Sequence, residues 1–214
     1  MITGELIGSG RTADVFALDE GRVLRRYRDG ADAGGGAALM TYLAGHGYPV
    51  PRVWPGPDAT ELVLQRLDGP TMLQALGAGT VGPEEAGTVL ADLLRRLHAV
   101  PSRTGAGRVL HLDLHPDNVF LTPDGPVVID WDTAAEGPPG LDTAMSALIL
   151  AQAALTIPAV APVARAVLTA LVRGLGGTDG MLLDAAKARR AANPTLSAAE
   201  IAALDEAVAL ILAP

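Results

Sequence analysis

Near residues 65–70 the pattern of apolar residues changes its period, and this limits the fold more than any other feature of the chain. Before that point the apolar runs are short and punctuated by glycine and proline. Residues 5–8 and 14–18 flank Gly8-Ser9-Gly10 and read as a β-hairpin with a glycine-rich turn. Residues 21–27 read as a third strand, and Val53-Trp54 and Glu61–Gln65 as two more, separated by a Pro/Gly turn. Asp29 to Gly36 holds four glycines and is a poor helix, so the first helix is expected over Ala37–Gly45, stopping at Gly45-His46-Gly47. After Leu67-Asp68-Gly69-Pro70 the spacing becomes helical. Pro83-Glu84-Glu85 starts a helix, and Leu90, Leu93, Leu94 and Leu97 form one stripe on it, ending near His98. Two short strands, Val119–Leu121 and Val127–Ile129, are split by Pro123-Asp124-Gly125. Helices are then expected over 141–156, 159–174, 179–192 and 198–212, the last opened by a Ser197/Glu200 capping box.

A strand-rich part therefore precedes a helix-rich part, with a hinge near 65–70 and a cleft between them as the expected ligand site. Hydrophobic residues make up 49% of the 214, so a sizeable core can form, but aromatics are only 3%, so aliphatic side chains must fill it. There is no cysteine, which excludes disulfides, thiolate metal sites and cysteine nucleophiles. The net charge of −8 argues against a nucleic-acid partner. The Ala-rich stretch 144–172 is interrupted by Gln152, Pro158, Pro162 and Arg165, so no membrane span of about 20 residues is expected. Met1–Glu5 has no basic region followed by an apolar run, so no signal peptide is expected and a cytoplasmic location is.

The residues that carry chemistry form two motifs within the helix-rich part. His111-Leu-Asp113-Leu-His115-Pro-Asp117-Asn118 is followed by Val127-Val-Ile-Asp130-Trp131-Asp132. Phosphoryl transfer needs one carboxylate to accept a hydroxyl proton and oxygen ligands to hold Mg²⁺ on the phosphates. The five-residue step from Asp113 to Asn118 lets a tight loop aim both side chains at one point, and a hairpin can return Asp130 beside them. Asp113 is the candidate base, and Asn118 and Asp130 are the candidate metal ligands. Upstream, Gly8-Ser9-Gly10-Arg11-Thr12-Ala13-Asp14-Val15 has the form of a glycine loop whose backbone N–H groups approach phosphate oxygens.

The two motifs resemble the catalytic loop and metal aspartate of kinases. In their His-Leu-Asp-Leu-His-Pro-Asp-Asn and Ile-Asp-Trp-Asp form they look like the aminoglycoside phosphotransferase and choline-kinase-like group, over roughly residues 5 to 150. The resemblance implies an α+β, two-lobed protein-kinase-like fold. Residues 1–67 would form a small antiparallel β-rich N-terminal lobe and residues 68–214 a larger helical C-terminal lobe. It implies ATP or GTP as phosphate donor, Mg²⁺ as cofactor, and a hydroxyl of a small molecule as acceptor. Gly8, Ser9, Gly10 and Val15 would serve the glycine loop. Val23 would line the base pocket, Arg25 would reach the phosphates, and Gln65, Arg66 and Leu67 would form the adenine hinge. Asp142 would brace the catalytic loop; as a bare sequence feature it is also an ordinary acid in a first helical turn. His98 reads as structural, His111 as a loop brace, His115 as a local hydrogen-bonding group and Trp131 as core. Asp132 is a candidate for assisting the metal.

Two positions depart from the kinase pattern. The only lysine is Lys187, so strand three carries Arg25 where kinases have lysine, and arginine is no neutral replacement. Residues 31–60 contain no glutamate, and Gly36 stands where relatives often carry the helix acid that orients that cation; Asp32 is a candidate substitute. A nucleotide-binding protein without transfer activity therefore stays open as an alternative. A protein kinase is a weaker one, because eleven residues between Asp130 and Asp142 leave no room for a peptide-binding activation segment.

Overall fold

The computed structural model describes residues 4–10, 12–28, 30, 32–105, 107–194 and 196–213. Met1–Thr3, Arg11 of the glycine loop, and Asp29 and Ala31 of the glycine-rich segment lie outside the described residues. In chain order the elements are β1 (Leu6–Ser9), β2 (Ala13–Ala17), β3 (Arg22–Tyr27), α1 (Gly34–Gly45), β4 (Val53–Pro55) and β5 (Glu61–Gln65). Then come α2 (Met72–Gly77), α3 (Pro83–Ala99), β6 (Arg108–Leu110), a 3₁₀ turn (Pro116–Asn118), β7 (Val119–Thr122), β8 (Gly125–Val128) and β9 (Ala135–Gly137). The last are α4 (Pro139–Thr156), α5 (Ala161–Gly174), α6 (Leu183–Ala191), α7 (Ala198–Ala202) and α8 (Leu204–Leu212). Among the described residues no helix is long and apolar enough to cross a membrane.

The chain divides into two compact units. The first is Met1–Gly69 with Phe120–Asp132; the second is Pro70–Val119 with Thr133–Pro214. In the first unit five antiparallel strands form a sheet in the order β1-β2-β3-β5-β4. Side chains alternate faces along a strand, so the register sorts them. Val15 lies opposite Arg25, and Val23 opposite Leu64, on one face; Phe16 lies opposite Leu24, and Arg26 opposite Glu61, on the other. Leu24, Leu62 and Val63 of the sheet are buried, as are Leu39, Met40 and Leu43 of α1.

Helix α1 starts at Gly34 and not at Ala37. The first amides of a helix need no intrahelical partner, and the Asp32 carboxylate accepts the Gly34 amide at 2.8 Å. Burial of Leu39, Met40 and Leu43 then offsets the low propensity of the glycines in the first turn. The helix ends at Gly45, and the chain turns away at Gly47, whose φ of 73° glycine adopts freely and whose amide bonds to the Ala44 carbonyl. The β7–β8 hairpin joins this unit through the Val128 amide, which donates to the Pro49 carbonyl at 2.9 Å. Trp131 is buried edge-on against Tyr48, and its indole N–H donates to the Val128 carbonyl at 3.1 Å, as expected of a core residue.

The second unit is helical. The α3 stripe Leu90, Leu93, Leu94 and Leu97 is fully buried, and α3 packs on α5. The two helices approach so closely that a Cβ on Gly87 would lie 2.5 Å from the Ala170 Cβ, and one on Gly174 would lie 2.7 Å from the Ala91 Cβ. Helix α4 is apolar nearly all round because α5, α6 and α8 surround it. The α6 boundary moves from 179 to Leu183 because Gly180, at φ 80°, turns the chain there. The helix expected over 198–212 is divided at Ala203, although the Ala203 and Ala207 amides still bond to the Ala199 and Ala203 carbonyls. Sequence reading missed α2, whose Thr71/Gln74 capping box is a legible start signal, and the short β6–β9 pair.

Candidate active site

The first unit presents the glycine turn and one face of the sheet. Gly10 closes the turn by donating its amide to the Ala13 carbonyl at 2.9 Å. A Cβ on Gly8 would meet Val15 at 3.7 Å and one on Gly10 would meet the Ala13 carbonyl at 3.5 Å, both ordinary contacts. Packing within the unit therefore does not require glycine at either position. The Ser9 hydroxyl donates to Asp14 at 2.8 Å, and Arg28 donates through Nε to the other oxygen of the same carboxylate at 2.9 Å. The Arg28 and Ser9 hydrogen bonds, in that order, hold the Asp14 carboxyl at about 2.

Val15, Val23 and Arg25 lie on the same face of neighbouring strands. The Arg25 side chain is the less exposed of the arginine pair, 14% against 34% for Arg26. Arg26 turns to the opposite face, where its Nε donates to the buried Glu61 at 2.6 Å and its guanidinium lies over Phe16. Arg25 instead reaches two aspartates of the segment after β8. Its Nη2 lies 3.1 Å from Asp130 Oδ1 and 2.6 Å from Asp132 Oδ2. Asp132 also accepts from the Tyr27 hydroxyl at 2.8 Å and from the Thr12 hydroxyl at 3.3 Å. Burial raises the Tyr27 phenol above its ordinary value, so it stays protonated and a donor. Both Asp132 oxygens are thus engaged by side chains of the same unit. Asp32 is not the substitute for the helix glutamate: its carboxylate accepts the Gly34 amide, while the carboxylates on Arg25 are Asp130 and Asp132. At the expected hinge, the Gln65 amide donates to the Arg52 carbonyl and the Arg66 amide to the Gly21 carbonyl, both at 2.9 Å. Those two amides hold the sheet edge together. Of the three hinge residues, Leu67 alone has its amide outside those bonds.

The second unit carries the His111–Asn118 loop. Its centre is Asp142, fully buried in the first turn of α4. Asp142 Oδ1 accepts the Leu112 amide at 2.7 Å, and Oδ2 accepts the His111 amide at 3.0 Å and contacts His98 Nε2 at 2.9 Å. The carboxylate therefore holds the loop from below, while His98, near the end of α3, ties it to a second helix. Leu112 has φ 64°, which costs a residue with a side chain about 1–3 kcal/mol. The two hydrogen bonds to Asp142 stabilise that turn. His111, buried, accepts the Asp113 amide on Nδ1 at 3.2 Å, and its carbonyl accepts the Thr133 hydroxyl at 2.8 Å.

Asn118 closes the loop by donating its side-chain amide to the Asp113 carbonyl at 2.9 Å. That bond uses the nitrogen and leaves the amide oxygen, the atom suited to a hard cation, uncommitted by it. His115 Nδ1 accepts the Asp117 amide at 3.3 Å, and its Nε2 is 3.8 Å from Asp113 Oδ2. Burial lowers the His115 pKa against the opposing pull of Asp113 and Asp117, so the ring is neutral near pH 7. The Asp117 carboxylate accepts the Thr71 hydroxyl at 3.0 Å and anchors the loop to the start of α2. Asp130 has φ 65°, the same unusual backbone region as Leu112. The Asn118 side chain, in the second unit, and the Asp130 side chain, in the first, each carry oxygen of the hard kind that Mg²⁺ takes.

A family model described as the phosphotransferase enzyme family (APH) matches residues 3–107 and 101–181. The chain belongs to this phosphotransferase family. The first matched stretch contains the glycine turn, Arg25 and the hinge, and the second contains Asp113, Asn118, Asp130 and Asp142. Helices α6, α7 and α8 lie beyond the matched residues of this phosphotransferase. No curated protein matches the chain significantly. Of the two sequence readings of Asp142, helix acid and loop brace, its buried contacts with the His111 and Leu112 amides and with His98 fit the brace. The carboxylate network around Arg25 was missed; its one legible signal was the second aspartate two residues after Asp130.

Proposed function

We propose that this phosphotransferase moves the γ-phosphate of ATP or GTP to a hydroxyl of a small molecule. Asp113 would accept the hydroxyl proton, and Asn118 and Asp130 would supply oxygens to Mg²⁺. The observation that carries the reading is the catalytic loop. A buried carboxylate, a strained Leu112 and the Asn118-to-Asp113 bond together fix the loop that carries Asp113 and Asn118. Strain of this kind persists where the surroundings hold it in place, and it concentrates at functional sites. Mg²⁺, when bound, would neutralise charge developing on the phosphates. Gly8, Ser9 and Gly10 would approach the phosphates by backbone, which explains glycines that the packing does not demand. Val15 and Val23 would cover the base, Arg25 would contact phosphate, and Gln65–Leu67 would form the hinge, with Leu67 supplying the amide for adenine. In this reading the units correspond to the lobes of a kinase, with the nucleotide served by the first.

A small acceptor is supported over a peptide by β9. The segment between Asp130 and α4 forms a strand paired with β6, so it is not an extended activation loop. A cationic, aminoglycoside-like acceptor has less support. Of the acids after residue 178, Glu200 is used in the Ser197 capping box and Asp205 binds Lys187 at 2.7 Å. One observation favours nucleotide binding without transfer: Arg25 already partners Asp130, the proposed metal ligand.

The test is a turnover screen with ATP and GTP, Mg²⁺, and hydroxylated amines, aminoglycosides, macrolides and sugars, run on wild type and Asp113→Asn. The expected result is transfer to at least one acceptor, with kcat lowered about 10²–10⁴-fold in the variant and nucleotide affinity within about twofold of wild type. Unchanged turnover in Asp113→Asn would remove the base assignment. Nucleotide binding with no turnover of any acceptor would favour the binding-only reading.

A further inference from the structure

Kinases orient their phosphate-gripping cation with a glutamate from the helix that follows strand three. Helix α1 here reads Gly-Gly-Gly-Ala-Ala-Leu-Met-Thr-Tyr-Leu-Ala-Gly and offers no acid. Arg25 is nonetheless held by several groups. Asp132 Oδ2 lies 2.6 Å from its Nη2, the shorter of its two carboxylate contacts, and the Tyr27 ring lies under the guanidinium at 4.8 Å. Asp132 is in turn fixed by the Tyr27 hydroxyl on one oxygen and the Thr12 hydroxyl on the other. A carboxylate with both oxygens engaged by arginine, tyrosine and threonine is built to hold a cationic side chain in one orientation, and it has little capacity left for a metal ion.

We propose that Asp132 is the positioning residue for Arg25, doing from the segment after Asp130 what a helix glutamate does in other kinases. This rests on the reading that Arg25 contacts nucleotide phosphate. The chemistry is complementary: a planar guanidinium pinned at one edge by a carboxylate keeps its remaining N–H groups in a fixed plane for phosphate oxygens. It also explains why strand three carries arginine. Two acceptors of opposite kinds, a carboxylate on one side and a phosphate on the other, need more donors in fixed directions than a lysine ammonium presents. In this arrangement the phosphate grip is set by the segment that carries the proposed metal aspartate, and not by α1. The grip is therefore insensitive to substitution on α1.

The test is a double-mutant cycle on Arg25→Ala and Asp132→Ala, with Asp132→Glu and Asp132→Asn as further variants. The first readout needs no nucleotide. Melting temperatures of the two single variants and the double variant should be non-additive, the double melting no lower than the less stable single. Additive losses would overturn the pairing. The second readout is the dissociation constant for ATP with Mg²⁺. Asp132→Ala is expected to weaken it about tenfold, the loss of one charge-assisted contact. In the Arg25→Ala background the same change should have an effect of about onefold to twofold. Asp132→Glu should recover part of the loss and Asp132→Asn should not. KM for nucleotide should rise more than kcat falls. A full tenfold loss from Asp132→Ala in the Arg25→Ala background, together with weaker Mn²⁺ binding, would make Asp132 a metal ligand and overturn the proposal. Coupled melting temperatures with no nucleotide binding by wild type would leave the pair standing as a structural contact, and would overturn both its positioning role and the proposed function.

Discussion

Removing the Asp142 carboxylate should unbuild the catalytic loop. In Asp142→Ala the His111 and Leu112 amides lose their acceptors, at 3.0 and 2.7 Å, in a fully buried place, and His98 loses a partner at 2.9 Å. A buried donor left without an acceptor costs about 1–3 kcal/mol. Leu112 is then free to leave its strained φ, which returns about 1 kcal/mol. The net loss is about 3 kcal/mol, or roughly 6–12 °C in melting temperature for a chain of this size. Asp142→Asn should lose less, because its amide keeps one acceptor while placing an N–H group against a backbone N–H. The same change should lower kcat about 100-fold, because the loop that aims Asp113 loses its fixed geometry. Denaturant or thermal unfolding followed by Trp131 fluorescence gives the first quantity, and transfer to an acceptor found in the screen gives the second. A variant melting within about 2 °C of wild type, with kcat unchanged, would refute the argument that Asp142 supports the loop.

Gly87→Ala should destabilise the second unit by about 1–3 kcal/mol, because the new methyl meets Ala170 and the Val167 carbonyl at 2.5 Å; a melting curve superimposable on wild type would contradict it. Arg26→Ala should lower stability by leaving buried Glu61 without its partner while barely changing nucleotide affinity, whereas Arg25→Ala should weaken nucleotide binding more than Arg26→Ala does; calorimetry with nucleotide separates the two. Hydrogen bonds from Ser102 and then Thr104, with the Arg103 and Thr104 amides, hold the Glu136 carboxyl at about 2, against an ordinary value of 4.5. Its folded pKa is depressed, so its contribution is present above about 4.5 and is lost as the pH falls toward about 2. A carboxyl ¹³C titration of Glu136 should show that midpoint, and a midpoint near 4.5 would contradict the hydrogen-bond network.

The sequence revealed the elements that repeat a period strongly. The Leu90–Leu97 stripe, the strand alternation that separates Arg25 from Arg26, and the turn at Pro123-Asp124-Gly125 all follow from local spacing. Boundaries failed where a tertiary contact overrode propensity. Asp32 caps a helix through three glycines, and Gly180 delays α6 by its positive φ. In the candidate site, residue types and spacing identified Asp113, Asn118 and Asp130 as candidates, because few other arrangements place those residues in that order. The supporting network was illegible for a physical reason. Asp142 is 30 residues from Leu112, and Asp132 is 107 from Arg25, so neither pairing leaves a periodic trace in the sequence.

Under the proposed function this phosphotransferase binds a nucleotide with Mg²⁺, for which Asp130 and Asn118 are the proposed ligands. Calorimetric titration of the intact chain with ATP and with GTP, with and without Mg²⁺, tests it most directly. Binding to wild type that weakens at least tenfold without Mg²⁺, and equally in Asp130→Ala with Mg²⁺ present, is the predicted result. Heat that is absent for both nucleotides, or unchanged by removing either the metal or the Asp130 carboxylate, would contradict the account.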